Sequence, residues 1–362
     1  LEIRDELGIK LDLETEFTLL KQRLDAKEVS QDELASRGEY FSAKLMAAYL
    51  GFDFVDASDW VFFTIDGKVD TEKTYAALSE RAKGCHGIVT PGFYGVMPDG
   101  GIRTFSRGGS DITGSLAAAA LDAGVYENWT DVSGILMADP RIVENPHPIA
   151  EITYEELREL AYAGANVLHE GAIYPVRKKN IPLNIRNTND PSAPGTMIRK
   201  HFDTEVDPNR IITGITGKKD FSIVTIFKRG LTNEVGILRR ILSVLEKHGV
   251  SVEFVPNGMD NVSLAIPTSK LAPHLYAILA DIQQEIAPDN ITVHDQIAIV
   301  TAVGHQMAFR PGVSGKVFAA LGEAGINIRM IDQGSSEISI IVGVDESDFE
   351  KGLAAIYREF VK

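Results

Sequence analysis

The run Gly100-Gly101-Ile102-Arg103-Thr104-Phe105-Ser106-Arg107-Gly108-Gly109-Ser110-Asp111 sets a guanidinium, paired glycines, a hydroxyl and a carboxylate directly ahead of an Ala-rich stretch. Glycines let backbone N–H groups approach an anion. A helix beginning near Ser110 adds partial positive charge at its N-terminus, and Arg107 can fork onto a carboxylate or a phosphate. The same text also reads as a glycine-rich surface loop in which Asp111 is an ordinary helix cap. No Walker-type Gly-x-x-x-x-Gly-Lys-Ser/Thr run occurs anywhere in the chain.

Two further clusters carry chemistry. Trp129-Thr130-Asp131-Val132-Ser133-Gly134 through Asp139-Pro140-Arg141 puts two acids and an arginine around a strand end and turn. The two acids there, Asp131 and Asp139, can hold ribose or base polar groups while Arg141 meets phosphate; the plainer reading is a polar loop with an internal ion pair. Ser36-Arg37-Gly38-Glu39-Tyr40 places Glu39 near a helix start, where it receives an ammonium group or simply complements the helix dipole. His86, His147 and His169 show no metal-ligand spacing, and Cys85 has no base near it in sequence, so neither a protein-held metal nor a thiol nucleophile is expected.

The elements that must hold these groups follow from periodicity. Leu13, Phe17, Leu20 and Leu24 fall at helical spacing, and Ser30 with Glu33 predicts a capping box for the next helix. Phe52–Asp56 and Ile88–Thr90 read as short strands around a helix over Thr71–Lys83, and an Ala-rich helix spans Ser110–Leu121. Thr153 with Glu156 predicts a second capping box, for a helix ending near Gly164, and Ile181–Arg186 reads as a strand. Such alternation implies an α/β sheet. A boundary is expected near 200–215, where polar and turn-forming residues gather.

Beyond it the pattern repeats. A strand (Ser222–Phe227, then Ile297–Val303) leads into a helix (Val235–His248, then Val313–Ala324). Each helix is followed by a turn and a strand with nearly the same text, His248-Gly249-Val250-Ser251-Val252-Glu253 and Ala324-Gly325-Ile326-Asn327-Ile328-Arg329, in which Gly249 and Gly325 end the helices. A further strand and helix complete each copy in a ferredoxin-like order.

The 362 residues carry 36 Lys+Arg against 51 Asp+Glu, a net charge of −15, which opposes a broad nucleic-acid or anionic-membrane surface. A phosphorylated ligand must therefore sit in a local pocket. No apolar run approaches the ~18 residues of a membrane span, so no membrane role is expected. One cysteine permits no internal disulfide and points to a reducing, cytoplasmic setting. The chain opens at Leu1 without a Met and reads as a fragment.

Together these motifs resemble the aspartate kinases of the amino acid kinase family, with C-terminal tandem ACT domains. The resemblance runs in order through Ser36-Arg37-Gly38-Glu39, Gly92-Phe93-Tyr94-Gly95 and Ser106–Asp111. It continues through Trp129–Arg141, Glu159–His169 and Arg186–Thr196 to Gly334-Ser335-Ser336-Glu337-Ile338-Ser339. It implies an α/β fold: an amino-acid-kinase-like three-layer sandwich, N-terminally incomplete, over 1–205, a first ACT domain with linker over 206–292 and a second over 293–362. It implies ATP-dependent phosphorylation of the L-aspartate side-chain carboxylate, with Mg2+ accompanying ATP. By position, Glu39 would receive the substrate amino group, Arg107 would grip an aspartate carboxylate, Ser110 and Asp111 would position substrate, and Phe93 would line the pocket. Gly108, Gly109, Thr130, Asp131, Arg141 and Asn166 would fall at the nucleotide. Gly236, Ser251, Val252, Glu253, Asn257 and Gly258 would form an effector site for lysine, threonine or both, in a homodimer or homotetramer built through the ACT domains. The sequence departs from the family in lacking a Lys-Phe-Gly-Gly-Thr-Ser strand, in Asn166 where many members have lysine, and in Leu136 where many have tyrosine. The competing expectations are a non-catalytic amino-acid-sensing subunit and another enzyme of the same kinase fold.

Overall fold

A computed structural model describes residues 1–165, 170–202, 210–308 and 310–361. In chain order the elements are α1 (Glu2–Glu6), α2 (Glu14–Asp25), α3 (Gln31–Leu50), β1 (Asp53–Phe54), α4 (Thr71–Arg81), β2 (Ile88–Val89), β3 (Tyr94–Val96), β4 (Ile102–Thr104), α5 (Gly109–Ala120) and β5 (Tyr126–Thr130). Next come β6 (Glu151–Thr153), α6 (Tyr154–Ala163), α7 (Glu170–Lys179), β7 (Leu183–Asn187) and β8 (Thr196–Arg199). The C-terminal part runs β9 (Gly214–Phe227), α8 (Ile237–Lys247), β10 (Asn261–Pro267), α9 (Thr268–Leu271), α10 (Leu275–Ile286), β11 (Asn290–Val303), α11 (Val313–Glu323), β12 (Ile328–Asp332), β13 (Ser339–Asp345) and α12 (Phe349–Phe360). Two compact units result, one of Leu1–Gly134 with Leu168–His201, the other of Ile135–Val167 with Phe202–Lys362.

In the first unit β1 and β2 run parallel, as do β5 and β7, and β8 returns antiparallel to β7. The N-termini of the long helices follow their sequence signals. Ser30 accepts from the Glu33 N–H at the start of α3, although the Glu33 carboxylate turns away to Arg23, so the reciprocal half of the expected box is replaced by an ion pair. Trp60, Val61, Leu78, Tyr94 and Leu116 form a core between α4, α5 and the β3–β4 hairpin region. Gly195 takes a left-handed φ of 76°, and a Cβ there would lie 2.0 Å from the Ile185 carbonyl oxygen, so only glycine lets this turn press against β7.

In the second unit one sheet has the order β10-β9-β11-β13-β12. The two long strands β9 and β11 serve both copies of the repeat. Residues Phe221–Phe227 of β9 pair with β10, whereas Gly214–Lys218 pair with the half of β11 that carries β13. The start of β9 thus completes the sheet of the distal copy. The expected strand at Val250–Glu253 is replaced by isolated bridges, Phe254 with Ala265 and Asn257 with Val262. Helix α8 buries Ile237, Ile241, Val244 and Leu245 against this sheet, at the i, i+4, i+7, i+8 positions of one helical face.

Helix α6 is built into this unit. The expected capping box at Thr153 and Glu156 is present, and Gly164 closes the helix at φ 117°. Glu156 does more than cap. Its carboxylate, 1% exposed, accepts from the Thr153 N–H and hydroxyl at 2.9 and 2.7 Å, from the Thr213 hydroxyl at 2.6 Å and from the His305 N–H at 2.7 Å. Four donors satisfy the charge where water cannot.

Candidate active site

The glycine-rich run folds as an anion cradle in the first unit. Gly108 is the N-cap of α5 in a left-handed conformation (φ 60°, ψ 27°), and no side chain caps the helix. Asp111 is therefore not the cap; its carboxylate leaves the helix end and accepts from Asn128 Nδ2 at 2.8 Å. The first N–H groups of α5 lack intrahelical acceptors and carry the positive end of the helix dipole.

Three supports fix this turn. A Cβ on Gly109 would sit 2.6 Å from Phe93 Cβ, and one on Gly92 would sit 2.9 Å from Ser110 Oγ, so the 92–93 backbone packs directly on α5. Phe93 holds a φ of 63°, unusual for a bulky residue, and its N–H donates to Thr113 Oγ1 at 3.0 Å while Thr113 donates to the Gly109 carbonyl. Tyr126 donates to the Asp111 carbonyl at 3.1 Å and receives a bond from Asn128 at 3.2 Å. Burial pushes the Tyr126 hydroxyl up to about 12, so it remains a neutral donor. Arg107 and Ser110 are exposed, and among the described residues neither side chain has a hydrogen-bond partner.

Helix α3 is tied beside this cradle by its first turn. Asp32 accepts from the Thr104 N–H and hydroxyl, at 3.3 and 3.1 Å. Glu39 lies seven residues on, inside α3 rather than near a helix start as expected, so it does not complement the helix dipole; it shares a face with Asp32 and the buried Ser36. It is exposed and unpaired among the described residues. A free carboxylate and a free guanidinium on elements pinned together suit a zwitterion.

At the C-terminal ends of the parallel strands β5 and β7, the Thr130 carbonyl accepts from the Thr188 N–H and hydroxyl, and Asn187 donates to Ser133 at 2.8 Å. Thr130 donates to Asp131 at 3.2 Å, leaving Asp131 exposed at the strand end, where ligands of open α/β sheets bind. In the second unit Arg141 is forked onto Asp139, at 3.0 and 2.6 Å, and holds that carboxyl below its ordinary range. The sequence alternative of an internal ion pair is thus realised, and a phosphate would have to compete for Arg141. Asn166 lies outside the described residues. Among the described residues no group of three or more His, Cys, Asp or Glu side chains could hold a metal. No helix among them is long and apolar enough to cross a membrane.

The expected effector residues gather around α8 and the 250–258 segment. Gly236 is the left-handed N-cap of α8. Glu253 is hydrogen-bonded through its N–H to Ala265 and lies 3.7 Å from Lys218 Nζ; Gly258 donates to the Asn261 carbonyl. Ser251 and Asn257 are exposed, Val252 half-buried.

Sequence reasoning missed Asn128, Tyr126 and Thr113, which hold the cradle, and Asp32, which ties α3 to it. Their trace was present in β5, where Tyr126, Asn128 and Thr130 are polar-capable residues at alternating positions of one strand face.

Comparison with known proteins follows the same lines. An amino acid kinase family model matches residues 2–187 and an ACT domain model matches 300–360. The chain is 36% identical over 368 residues to aspartokinase 3 of Bacillus subtilis, covering 99% of this chain and 78% of that one. It superposes on the crystal structure of Clostridium acetobutylicum aspartate kinase with a TM-score of 0.89 at 49% identity, covering 99% and 82% of the two chains. Against E. coli aspartokinase III in complex with lysine and aspartate the TM-score is 0.70 at 26% identity, over 91% and 75%.

Proposed function

The chain belongs to the amino acid kinase family and, within it, to the aspartokinases; from that premise we propose that it transfers the γ-phosphoryl group of ATP to the side-chain carboxylate of L-aspartate. The observation that carries this reading is the α5 N-terminus, where uncapped backbone N–H groups, a free Arg107 and the Asn128-anchored Asp111 share one turn, with Glu39 on the helix that Asp32 ties to Thr104.

Each group has a task in the transfer. Glu39 receives the substrate ammonium and Arg107 its carboxylate, so the amino acid is held at both ends and its side chain is left as nucleophile. A side-chain carboxylate oxygen bonds to the γ-phosphorus as the bond to the β,γ-bridging oxygen breaks, giving 4-phospho-L-aspartate and ADP. The charge spreading over the phosphoryl oxygens meets the α5 N–H groups, which are already oriented and need no reorganisation. Asp111, held by Asn128, positions the acceptor with Ser110. Thr130 and Asp131, at the C-terminal end of β5, meet the nucleotide.

Regulation by an amino acid at the tandem modules belongs to the same reading, supported by Ser251 and Asn257, which lie exposed in the segment that follows α8. So does association through these modules, where Leu238 and Leu242 lie exposed one turn apart on α8. The test is ATP-dependent aspartyl hydroxamate formation by the complete gene product, with and without lysine and threonine. Hydroxamate lost in Arg107→Ala and Glu39→Gln supports the reading. Binding of lysine or threonine with no hydroxamate from the unmutated protein would overturn it in favour of an amino-acid sensor.

A further inference from the structure

We propose that Lys218 is a coupling residue, through which the state of the 250–258 segment reaches the C-terminal end of α6. The proposal rests on the kinase reading for its regulatory meaning, but its geometry stands within one compact unit.

Lys218 lies on β9 between two partners. Its ammonium is 3.7 Å from the Glu253 carboxylate and 5.0 Å from the centre of the Tyr162 ring. Tyr162 in turn meets Phe254 edge-on, with ring centres 6.2 Å apart. Two adjacent residues of the 250–258 segment thus bear on the last turn of α6, one through a charge and one through a ring. The backbone leaves no slack at this point. A Cβ on Gly164 would lie 2.6 Å from the Gly217 carbonyl oxygen and 2.7 Å from Lys218 Cγ, so the end of α6 rests directly on the stem of this lysine. The other end of α6 is fixed by the buried Glu156 to Thr213 and His305. A helix held at its N-terminal end and keyed at its C-terminal end responds to the key.

The mechanism is a competition. Glu253 forms its ion pair with Lys218 when no other cation is present. A ligand that brings an ammonium group to Glu253 takes that carboxylate, and Lys218 then rests on the Tyr162 face alone. The last turn of α6 is repositioned. Such coupling is reciprocal: whatever shifts the end of α6 alters affinity at Glu253 by the same factor.

The test needs no identified effector. Hydrogen–deuterium exchange of the Leu160–Ala165 amides is measured in the 362-residue chain, in Glu253→Gln, in Lys218→Met and in the double variant. Each single change is expected to speed exchange about two- to fivefold, the range open to a half-exposed ion pair, and the double change no more than the faster single one. Lys218→Arg restores slow exchange. L-lysine and L-threonine are then added separately: a shift in these amides in the unmutated chain that disappears in Lys218→Met, while calorimetric binding persists, completes the case. Multiplicative effects of the two single changes, or amides that ignore all of them, would overturn the proposal. Absence of hydroxamate with the exchange pattern intact would remove the kinase reading alone, whereas hydroxamate formation with flat exchange would remove this proposal alone.

Discussion

Asn128→Asp changes one NH2 to one oxygen in a buried strand position and sets a second carboxylate against Asp111. In the structure Asn128 Nδ2 donates to Asp111 Oδ1 at 2.8 Å, and Asn128 is 7% exposed. Two unit charges at that separation repel by roughly 332/(20 × 2.8), or about 6 kcal/mol, at an effective dielectric near 20. Protonating one carboxyl at pH 7 costs about 4 kcal/mol from an ordinary Asp pKa near 3.9. Repulsion is the larger, so at pH 7 the pair holds one shared proton, which it gives up only at a pH on the alkaline side of neutral. Above that pH the Asp111 carboxylate has lost a hydrogen bond worth about 1.5–3 kcal/mol and gained a repelling neighbour; kcat/KM for aspartate should fall about 10- to 150-fold or more. Below it the shared proton replaces the lost donor and part of the rate returns. Asn128→Leu, which cannot be rescued by a proton, should lose activity at every pH. The assay is the hydroxamate rate as a function of pH for the three proteins, with thermal unfolding as a control for folding. Unmutated kcat/KM and an unaltered pH profile in Asn128→Asp would refute the assignment of Asp111 as the group that Asn128 positions.

Three other outcomes are expected. Gly195→Ala, with its Cβ 2.0 Å from the Ile185 carbonyl at φ 76°, should destabilise the chain by about 2 kcal/mol or more, read as a lower urea midpoint. Glu156→Gln turns one acceptor of four buried donors into an NH2 group, and should cost about 3 kcal/mol or more in the same measurement; a midpoint within error of the unmutated protein would contradict the hydrogen-bond geometry. Acid should loosen the regulatory modules through Glu234, lowered from its ordinary 4.5 by Lys228 and Arg240, and Asp281, lowered from 3.8 by Lys247 and His248. Depressed folded-state values mean that this stabilisation is complete above those ordinary values and is lost as pH falls through the folded ones. The melting temperature should therefore decline below about pH 4.5, and less so in Glu234→Gln.

Much of the frame was legible because local chemistry decides it. Ser30, Thr153 and Gly164 marked helix ends, and the matched Gly249 and Gly325 revealed the repeat before any strand pairing was known. Arg107-Gly108-Gly109-Ser110 showed where an anion could sit, since glycine, arginine and a helix start act within a dozen residues. What stayed hidden depends on distant partners. Whether Asp111 capped its own helix or served the site turned on Asn128, seventeen residues away in sequence. Glu156 read only as the second half of a capping box, because Thr213 and His305 lie 57 and 149 residues on. The failure of Val250–Glu253 to form a continuous strand is likewise a tertiary matter, with the segment bridged to β10 at single points.

The placement of α6 constrains how such a protein can be cut and recombined. The family match for the kinase part runs through this helix, yet its buried glutamate is neutralised by groups that the regulatory part supplies. Severing the chain after β8 would strand a carboxylate in an apolar interior with half its donors gone. A chimera that exchanges the sensing modules for those of another protein would therefore have to carry the strand and helix from Glu151 to Gly164 with them, or find new donors for Glu156. The inheritable unit of regulation is larger than the repeat that advertises it.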